Sequence, residues 1–203
     1  MAGLSRRGIF GGTFDPPHLG HLILAAEARW QLGLDEVLFV LTADPPHKQH
    51  RKILDAEIRL EMVAAAIEGQ PGFGISRVEI DRPGPHFVLD SIELLRQAYP
   101  GDELVYLIGG DSLHSLPTWH RPPDFLAAID ALGVMRRPGD EIDLADLLDE
   151  LPILREKLEF IDAPLLEIAS REIRERVAEG GHYRYYLPPA VFKLIEARGL
   201  YRA

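Results

Sequence analysis

Two apolar runs in this chain end in a pair of glycines, and this feature constrains the fold more than any other. They are "GIFGG" at residues 8–12 and "LVYLIGG" at residues 104–110. Continuous apolar runs with β-branched residues are typical of strands buried on both faces, as in a parallel sheet. A similar run, "EVLFVLT" at 36–42, is separated from them by segments of helical composition. This alternation predicts an α/β domain with a parallel sheet flanked by helices.

The same patterns predict the other elements. Helices are predicted in "HLILAAEARWQLG", "DAEIRLEMVAAAIEG", "VLDSIELLRQAYPG", "SREIRERVAEGG" and "PPAVFKLIEARG", and further strands in "FGISRVEI", "DALGVMRRPG" and "LLEI". The acidic stretch "DEIDLADLLDE" at 140–150 is interpreted as a solvated helix face. We expect one domain over residues 1–203, with a small helical C-terminal part from about residue 160.

Composition excludes several classes of function. The chain has 203 residues, no cysteine and a formal net charge of −10. The absence of cysteine excludes disulfides and thiolate metal sites, and the negative charge argues against nonspecific nucleic-acid binding. Apolar stretches are far shorter than the roughly 20 residues of a membrane-spanning helix. Arg6 and Arg7 resemble a twin-arginine export signal, but no apolar signal region follows them, so we expect a cytoplasmic location and no membrane partner.

The stretch "GIFGGTFDPPHLGHL" at residues 8–22 carries the most chemistry. Gly11 and Gly12 let a ligand approach the backbone without meeting a Cβ atom. Asp15 is predicted to cap the following helix, with the two prolines in its first turn. His18 and His21 would then lie one turn apart on one face. Because backbone N–H groups at a helix N-terminus favour anions, the segment predicts a phosphate site.

Three other interpretations of the two histidines stay open at this point. A zinc site would need at least a third ligand, and no HExxH pattern is present. A dinucleotide-binding dehydrogenase would show the pattern GxGxxG, which "GGTFDPPH" does not match. The third interpretation is a glycine turn with two incidental histidines, since glycine turns alone are weak indicators.

Taken with later segments, this stretch resembles the HxGH nucleotidyltransferase superfamily and, within it, the bacterial nicotinate-nucleotide adenylyltransferases. The later segments are "PPHK" at 45–48, "IGGDSLHSLPTWHR" at 108–121, "RRPG" at 136–139, "IASREIR" at 168–174 and "YLPPAVFKLIEARGLY" at 186–201. The resemblance implies a Rossmann-like nucleotidyltransferase fold. It also implies transfer of AMP from ATP to nicotinate mononucleotide, with Mg²⁺ accompanying ATP and with deamido-NAD and pyrophosphate as products. It leaves open whether copies of the chain associate as a homo-oligomer.

The resemblance also implies roles for individual residues. It places four side chains at the reacting phosphates, namely His18, His21, Lys48 and Arg174. It implies no metal ion that is bound by the protein's own side chains. The remaining nucleotide-binding residues would be Gly11, Gly12, Thr13, Phe14, Gly109, Asp111, Arg137 and Ser170. Nicotinate mononucleotide would be bound by Val88, Trp119 and His120, with the Trp119 indole stacked on the pyridine ring.

The chain departs from this family's pattern at two places. His86, Phe87 and Val88 stand where the family usually has Ser-Tyr-Thr, so one hydroxyl of the mononucleotide turn is missing. In "IASREIR" at 168–174, Ala169 stands where the family usually has a serine, and Arg171 stands where it has a threonine. Three alternatives therefore stay open: preference for the nicotinamide mononucleotide, another phosphorylated acceptor used by a related transferase, and a nucleotide-binding regulator without turnover.

Overall fold

The protein is built around one parallel sheet. The computed structural model describes residues 4–43, 53–136, 144–164 and 166–202. Within those ranges six strands form a sheet in the order β3-β2-β1-β4-β5-β6, and each neighbouring pair is parallel. The strands are β1 (Arg6–Gly12), β2 (Glu36–Leu41), β3 (Phe73–Ser76), β4 (Glu103–Gly109), β5 (Ala131–Arg136) and β6 (Leu158–Asp162). The direction of strand addition reverses between β1 and β4, which is the place where doubly wound sheets bind ligands.

Helices cover both faces of the sheet, as the alternating pattern predicts. They are α1 (Leu19–Gln31), α2 (Ala56–Ile67), α3 (Val88–Ala98), α4 (Gly110–Ser115), α5 (Pro122–Ala128), α6 (Ala145–Glu150), α7 (Leu154–Lys157), α8 (Ser170–Ala178) and α9 (Pro189–Arg198). Helices α1, α2, α8 and α9 contribute to one hydrophobic cluster, and α3 to α7 contribute to a second. In β1 the neighbouring Phe10 and Ile9 belong to the first and second clusters respectively, because successive strand residues face opposite sides.

Two strand predictions are wrong. Strand β3 ends at Ser76, whereas the prediction continued to residue 80. The backbone turns there: the N–H of Asp81 donates to the carbonyl of Arg77 at 3.0 Å, and the two side chains form an ion pair. The described part of "LLEI", residues 166–168, is not a strand. The edge strand is instead β6, with the sequence "LEFID".

The acidic segment is only partly described, since residues 140–143 lie outside the described ranges. Its described end forms α6, where Asp146 and Asp149 are exposed but Leu147 is buried against the second cluster. Here the interpretation as a solvated face holds for the carboxylates and not for the whole helix.

The described chain after residue 169 is helical and packs on the face that α1 and α2 cover. It contains α8, a 3₁₀ turn at Arg184–Tyr186, and α9, which lies against α2. Helix α9 ends at Arg198, and the next residue, Gly199, has a left-handed φ of 59°, which is typical of a glycine at the end of a helix. The division of residues 1–203 into a single domain stays a prediction. No helix in the described ranges is long and apolar enough to cross a membrane.

Candidate active site

A cavity of about 290 Å³ opens between the carboxyl ends of β1 and β4, at the point where strand order reverses. Its lining combines glycine backbone, both histidines of the HxGH segment, and one carboxylate. The residues that line it include Gly11, His18, Gly20, His21, Gly109, Gly110, Asp111, Met135, Ala163 and Ile168. A wider depression of about 650 Å³ at α8 and α9 contains none of the predicted site residues. The smaller cavity is therefore the candidate site.

Helix α1 begins at Leu19, and His18 is its N-cap, so the prediction that Asp15 caps this helix is wrong. The backbone of His18 is extended, with φ −136° and ψ 171°, and its carbonyl accepts from the N–H of His21 at 3.0 Å. The N–H of His18 in turn donates to Nδ1 of His21 at 3.1 Å. Asp15 instead lies buried, where it accepts a hydrogen bond from the Tyr201 hydroxyl.

This arrangement determines which nitrogen of His21 carries a proton. Since Nδ1 accepts the His18 N–H, the ring proton lies on Nε2. The two imidazole rings stack at 3.7 Å with an angle of 25° between their planes. Phe14 packs edge-on against the His21 ring at 5.0 Å. The His21 ring is thus held in place, and His21 lines the cavity.

His18 is a neutral side chain in this site. It is 6% exposed, and burial lowers the pKa of its imidazole to about 4. Its Nδ1 has no hydrogen-bond partner within the described ranges. A buried polar atom without a partner is rare in a native structure, and His18 is also one of the residues that line the cavity. The neutral His18 side chain is therefore a candidate contact for a ligand in this cavity.

The glycine between the two histidines makes room for their stacking. A Cβ atom at Gly20 would lie 3.0 Å from His18 Nδ1, which is closer than ordinary van der Waals contact. The two glycines at the end of β1 have a related role. A Cβ atom at Gly11 would lie 2.8 Å from the Tyr106 hydroxyl, and one at Gly12 would lie 2.6 Å from the Phe14 ring. Gly11 also lines the cavity, as predicted for a ligand-facing glycine.

Other members of the predicted nucleotide set have different surroundings. Gly109 and Asp111 lie at the start of α4 and line the cavity. Phe14 is 2% exposed and packs in the core, with a left-handed φ of 48°. The carbonyl of Thr13 accepts from Arg59 at 2.8 Å. Lys48 and Arg137 lie outside the described ranges.

Ser170 and Arg174 meet the HxGH segment from α8. Ser170 is the first residue of this helix, and its N-cap is Ala169. The Ser170 hydroxyl donates to the carbonyl of Pro16 at 2.8 Å. The Arg174 guanidinium donates to the carbonyl of Asp15 and lies 3.7 Å from its carboxylate. Their contact with phosphate stays a prediction.

The predicted mononucleotide residues lie on two segments that touch each other. The indole of half-buried Trp119 packs on the Tyr106 ring at 6.2 Å and on the Phe125 ring at 5.4 Å. The Phe87 ring, next to Val88 at the start of α3, stacks on the exposed His120 ring at 4.0 Å. The structure thus brings Val88, Trp119 and His120 to neighbouring positions.

A buried carboxyl group, that of Glu79, is hydrogen-bonded to α3, the helix that begins at Val88. Glu79 is 8% exposed and accepts from the Ser91 hydroxyl at 3.0 Å and from the Ala43 N–H at 3.3 Å. Burial raises the pKa of Glu79 above its ordinary value. Burial, and to a smaller extent the Glu79 charge, raise the pKa of the Tyr106 hydroxyl. These two residues were not singled out from the sequence.

Sequence reasoning also missed Arg59, a fully buried arginine beside the site. It is 2% exposed, and its guanidinium donates to the carbonyls of Leu54, Thr13, Thr42 and Ala43 at 2.8 to 3.0 Å. It therefore joins the segment before α2 to the chain that leaves β1 and β2. The signal in the sequence was an arginine within the apolar pattern of "EIRLEMVAAAI".

Comparison with known proteins agrees with this geometry. The sequence matches the cytidylyltransferase-like family over residues 9–176. It is 48% identical to a probable nicotinate-nucleotide adenylyltransferase of Thermomicrobium roseum over 199 residues, covering 98% of this chain and 92% of the relative. It is 40% identical to the nicotinate-nucleotide adenylyltransferase of Bacillus subtilis over 200 residues, covering 98% of this chain and all of the relative.

A solved structure shares the fold. The nicotinic acid mononucleotide adenylyltransferase of Plasmodium falciparum, in complex with NaAD, superimposes with a TM-score of 0.76 over 97% of both chains, at 18% identity. At that identity the likeness shows the fold alone. The sequence relationships extend over nearly the whole chain, and they include relatives well above 30% identity. The chain therefore belongs to the nicotinate-nucleotide adenylyltransferase family, within the cytidylyltransferase-like proteins.

Proposed function

We propose that this protein is an enzyme that transfers the adenylyl group of ATP to nicotinate mononucleotide, giving deamido-NAD and pyrophosphate. The observation that carries the proposal is the stacked pair of histidines at the N-terminus of α1, in the wall of the switch-point cavity. The family of the chain supports the same reaction. The reaction supplies a precursor of NAD.

The chemistry suits a site that positions phosphates. A phosphate oxygen of the mononucleotide attacks the α-phosphorus of ATP, and the bond from that phosphorus to the oxygen of the leaving pyrophosphate breaks. The attacking phosphate is already ionised at neutral pH, so no proton acceptor is needed. The enzyme's contribution is then orientation and the stabilisation of charge that develops on the phosphate oxygens.

His21 is the donor that we assign to the α-phosphate. Its Nε2–H is fixed by the His18 N–H and by the Phe14 ring, so little reorganisation is needed when charge develops. The N-terminus of the 13-residue helix α1 adds its dipole at the same place. Neutral His18, with Nδ1 free of a partner in the described chain, supplies a further contact. These groups stabilise a transferring phosphoryl group without a fixed positive charge on His18.

The remaining roles in the nucleotide site are proposals of the same kind. Asp111 would accept hydrogen bonds from the hydroxyl groups of the adenosine ribose, since it lines the cavity at the start of α4. Arg174 and Ser170 would meet the departing pyrophosphate from the start of α8. Lys48 would approach the phosphates from the chain after β2, and Arg137 would lie on the adenine side.

Mg²⁺ is part of the proposal because it accompanies ATP. The described residues contain no group of three or more His, Asp or Glu side chains arranged to hold a metal ion. Mg²⁺ commonly keeps several waters and is held largely by substrate phosphates. The described residues therefore fit a Mg²⁺ ion that arrives bound to ATP. Such an ion would reduce the negative charge of the ATP phosphates. The protein groups act on the phosphate oxygens that the ion leaves accessible.

The acceptor pocket is assigned to Trp119 and to backbone groups near Val88 and His120. An indole face suits the flat, electron-poor pyridine ring. The Phe87–His120 stack holds the start of α3 against the segment after Trp119, so backbone groups of both can meet one carboxylate. Because a site that hydrogen-bonds a specific group rejects an analogue lacking it, we expect preference for the nicotinate form. The missing hydroxyl at Val88 makes this preference the sharpest point to test.

The test is pyrophosphate release with ATP and three acceptors: nicotinate mononucleotide, nicotinamide mononucleotide and phosphopantetheine. We expect the highest kcat/KM with nicotinate mononucleotide, and loss of turnover in His21→Ala but not in the control His182→Ala, whose side chain is exposed. A higher kcat/KM with the amide would change the proposed acceptor. ATP binding without turnover on any acceptor would contradict an enzymatic function and favour a regulator.

Cytoplasmic location belongs to the same proposal, since the proposed substrates and the cysteine-free composition suit that compartment. Association into a homo-oligomer stays open, and size-exclusion chromatography with light scattering measures it directly.

A further inference from the structure

The carboxylate of Asp15 is a buried centre directly before the two histidines. It is 4% exposed and lies three residues before His18. The Tyr201 hydroxyl donates to its Oδ1 at 2.7 Å, and the Arg174 guanidinium lies 3.7 Å from its Oδ2. A buried carboxylate is costly unless it is paired and hydrogen-bonded, so these partners keep it in place.

Tyr201 reaches this carboxylate from the segment that follows α9. Its backbone is left-handed, with φ 63°, which is unfavourable for an aromatic residue. Such a conformation persists when the surroundings fix it. The hydroxyl touches both Asp15 and the Sδ atom of buried Met62, at 4.0 Å. Burial, followed by the Asp15 charge, raises the pKa of Tyr201, so the hydroxyl remains a donor at neutral pH.

The turn between β1 and α1 is held from several sides. Arg59 of α2 binds the carbonyl of Thr13. Ser170 and Arg174 of α8 bind the carbonyls of Pro16 and Asp15. The Tyr201 hydrogen bond reaches the Asp15 side chain, which also lies near the Arg174 guanidinium. The Tyr201 hydroxyl therefore helps to orient the carboxylate and the turn attached to it.

We propose that Tyr201 is a positioning residue for adenylyl transfer. Through Asp15 it fixes the turn that presents His18 and His21 to the phosphates. This inference rests on the proposed function, and it adds a residue that lies outside the cavity. Tyr201 acts on the reaction through the turn and does not touch the reacting atoms.

The chain contains a matched control for this role. The Tyr183 hydroxyl donates to the carboxylate of Glu196, also within the C-terminal helices and away from the candidate cavity. Tyr201→Phe and Tyr183→Phe each remove one hydroxyl that is bonded to a carboxylate. Tyr201→Phe should lower thermal stability more than Tyr183→Phe, because Asp15 is buried whereas Glu196 is exposed and keeps its ion pair with Arg202. Only Tyr201→Phe should affect catalysis.

The kinetic test compares the two variants with the wild type. We expect Tyr201→Phe to lower kcat on the order of 10-fold, since small misplacements of positioned groups cost up to roughly 10²-fold. KM for nicotinate mononucleotide should change by less than about 2-fold. Tyr183→Phe should leave kcat at the wild-type value. Equal effects of both variants, wild-type kcat in Tyr201→Phe, or failure of only Tyr201→Phe to fold would each overturn the proposal.

A second measurement does not depend on turnover. Nitrogen-15 NMR of the imidazole rings reports the tautomer of His21 and the surroundings of His18. Tyr201→Phe should shift or broaden both sets of ring signals, whereas Tyr183→Phe should leave them unchanged. If the wild type transfers no adenylyl group, the proposed function fails while this measurement still decides the positioning role. Unchanged ring signals in Tyr201→Phe would overturn it.

Discussion

Acidification should destabilise this protein through His18. The pKa of the buried imidazole is about 4 in the folded protein, against about 6.5 for an exposed histidine. The unfolded chain therefore binds more protons than the folded protein between these values. The stability that neutral His18 provides is fully present above the unfolded pKa, and it is lost as pH falls towards the folded pKa.

The size of the effect follows from the two pKa values. One pKa unit corresponds to about 1.4 kcal/mol, so the His18 contribution to the free energy of unfolding should fall by about 2 kcal/mol between roughly pH 7.5 and pH 5. The comparison variant is His18→Asn, because asparagine is a favoured N-cap residue and does not titrate in this range. All other titrating groups stay the same in both proteins.

Urea denaturation followed by tryptophan fluorescence measures this difference. Between the two pH values the wild type should lose about 2 kcal/mol more unfolding free energy than His18→Asn. His182→Asn, which removes an exposed histidine, should follow the wild type. The reasoning would be refuted if wild type and His18→Asn showed the same pH dependence to within about 0.5 kcal/mol, which is a quarter of the expected difference.

Further predictions concern catalysis and packing. His21→Ala should lower kcat by on the order of 10²-fold while ATP affinity changes less; weak ATP binding with unchanged kcat would contradict the assigned role. Arg174→Ala should weaken ATP more than mononucleotide binding in calorimetry, and Arg174→Lys should restore only part of it; equal weakening of both substrates would contradict the assignment. Trp119→Ala should lower kcat/KM for acid and amide mononucleotides alike, whereas Val88→Thr should change their ratio; a changed ratio in Trp119→Ala would argue against simple stacking. Arg59→Met should lower the unfolding free energy by about 3 kcal/mol or more in urea, because four carbonyls lose their donor and a buried carboxylate loses a nearby positive charge; a loss below about 1 kcal/mol would contradict this accounting.

The parallel sheet and the glycine-ended strands β1 and β4 were predictable, because both depend on local patterns. Apolar runs that end in glycines predict buried parallel strands, and the carboxyl ends of β1 and β4 meet at the cavity. Strand β6 was missed because "LEFID" carries two acids among its five residues, and as an edge strand it is only partly buried.

The errors around Asp15 have a different origin. An aspartate before two prolines is typical of a helix N-cap, but its partners are 159 and 186 residues away in the sequence. The buried Arg59 is similar, since its carbonyl partners belong to three separate segments. No local pattern indicates such contacts, because they depend on which segments the tertiary fold brings together.

The hydrogen bond between Asp15 and Tyr201 has a consequence during synthesis. It joins residues separated by 186 positions, so the segment with the two histidines leaves the ribosome long before its partner exists. Contacts between such distant residues form late in folding, because a long loop must close first. A growing chain that already carries "GGTFDPPHLGH" therefore lacks one fixed support of its phosphate turn until residue 201 has been added. Nucleotide binding by nascent chains would then be weak until Tyr201 has left the ribosome and can reach Asp15.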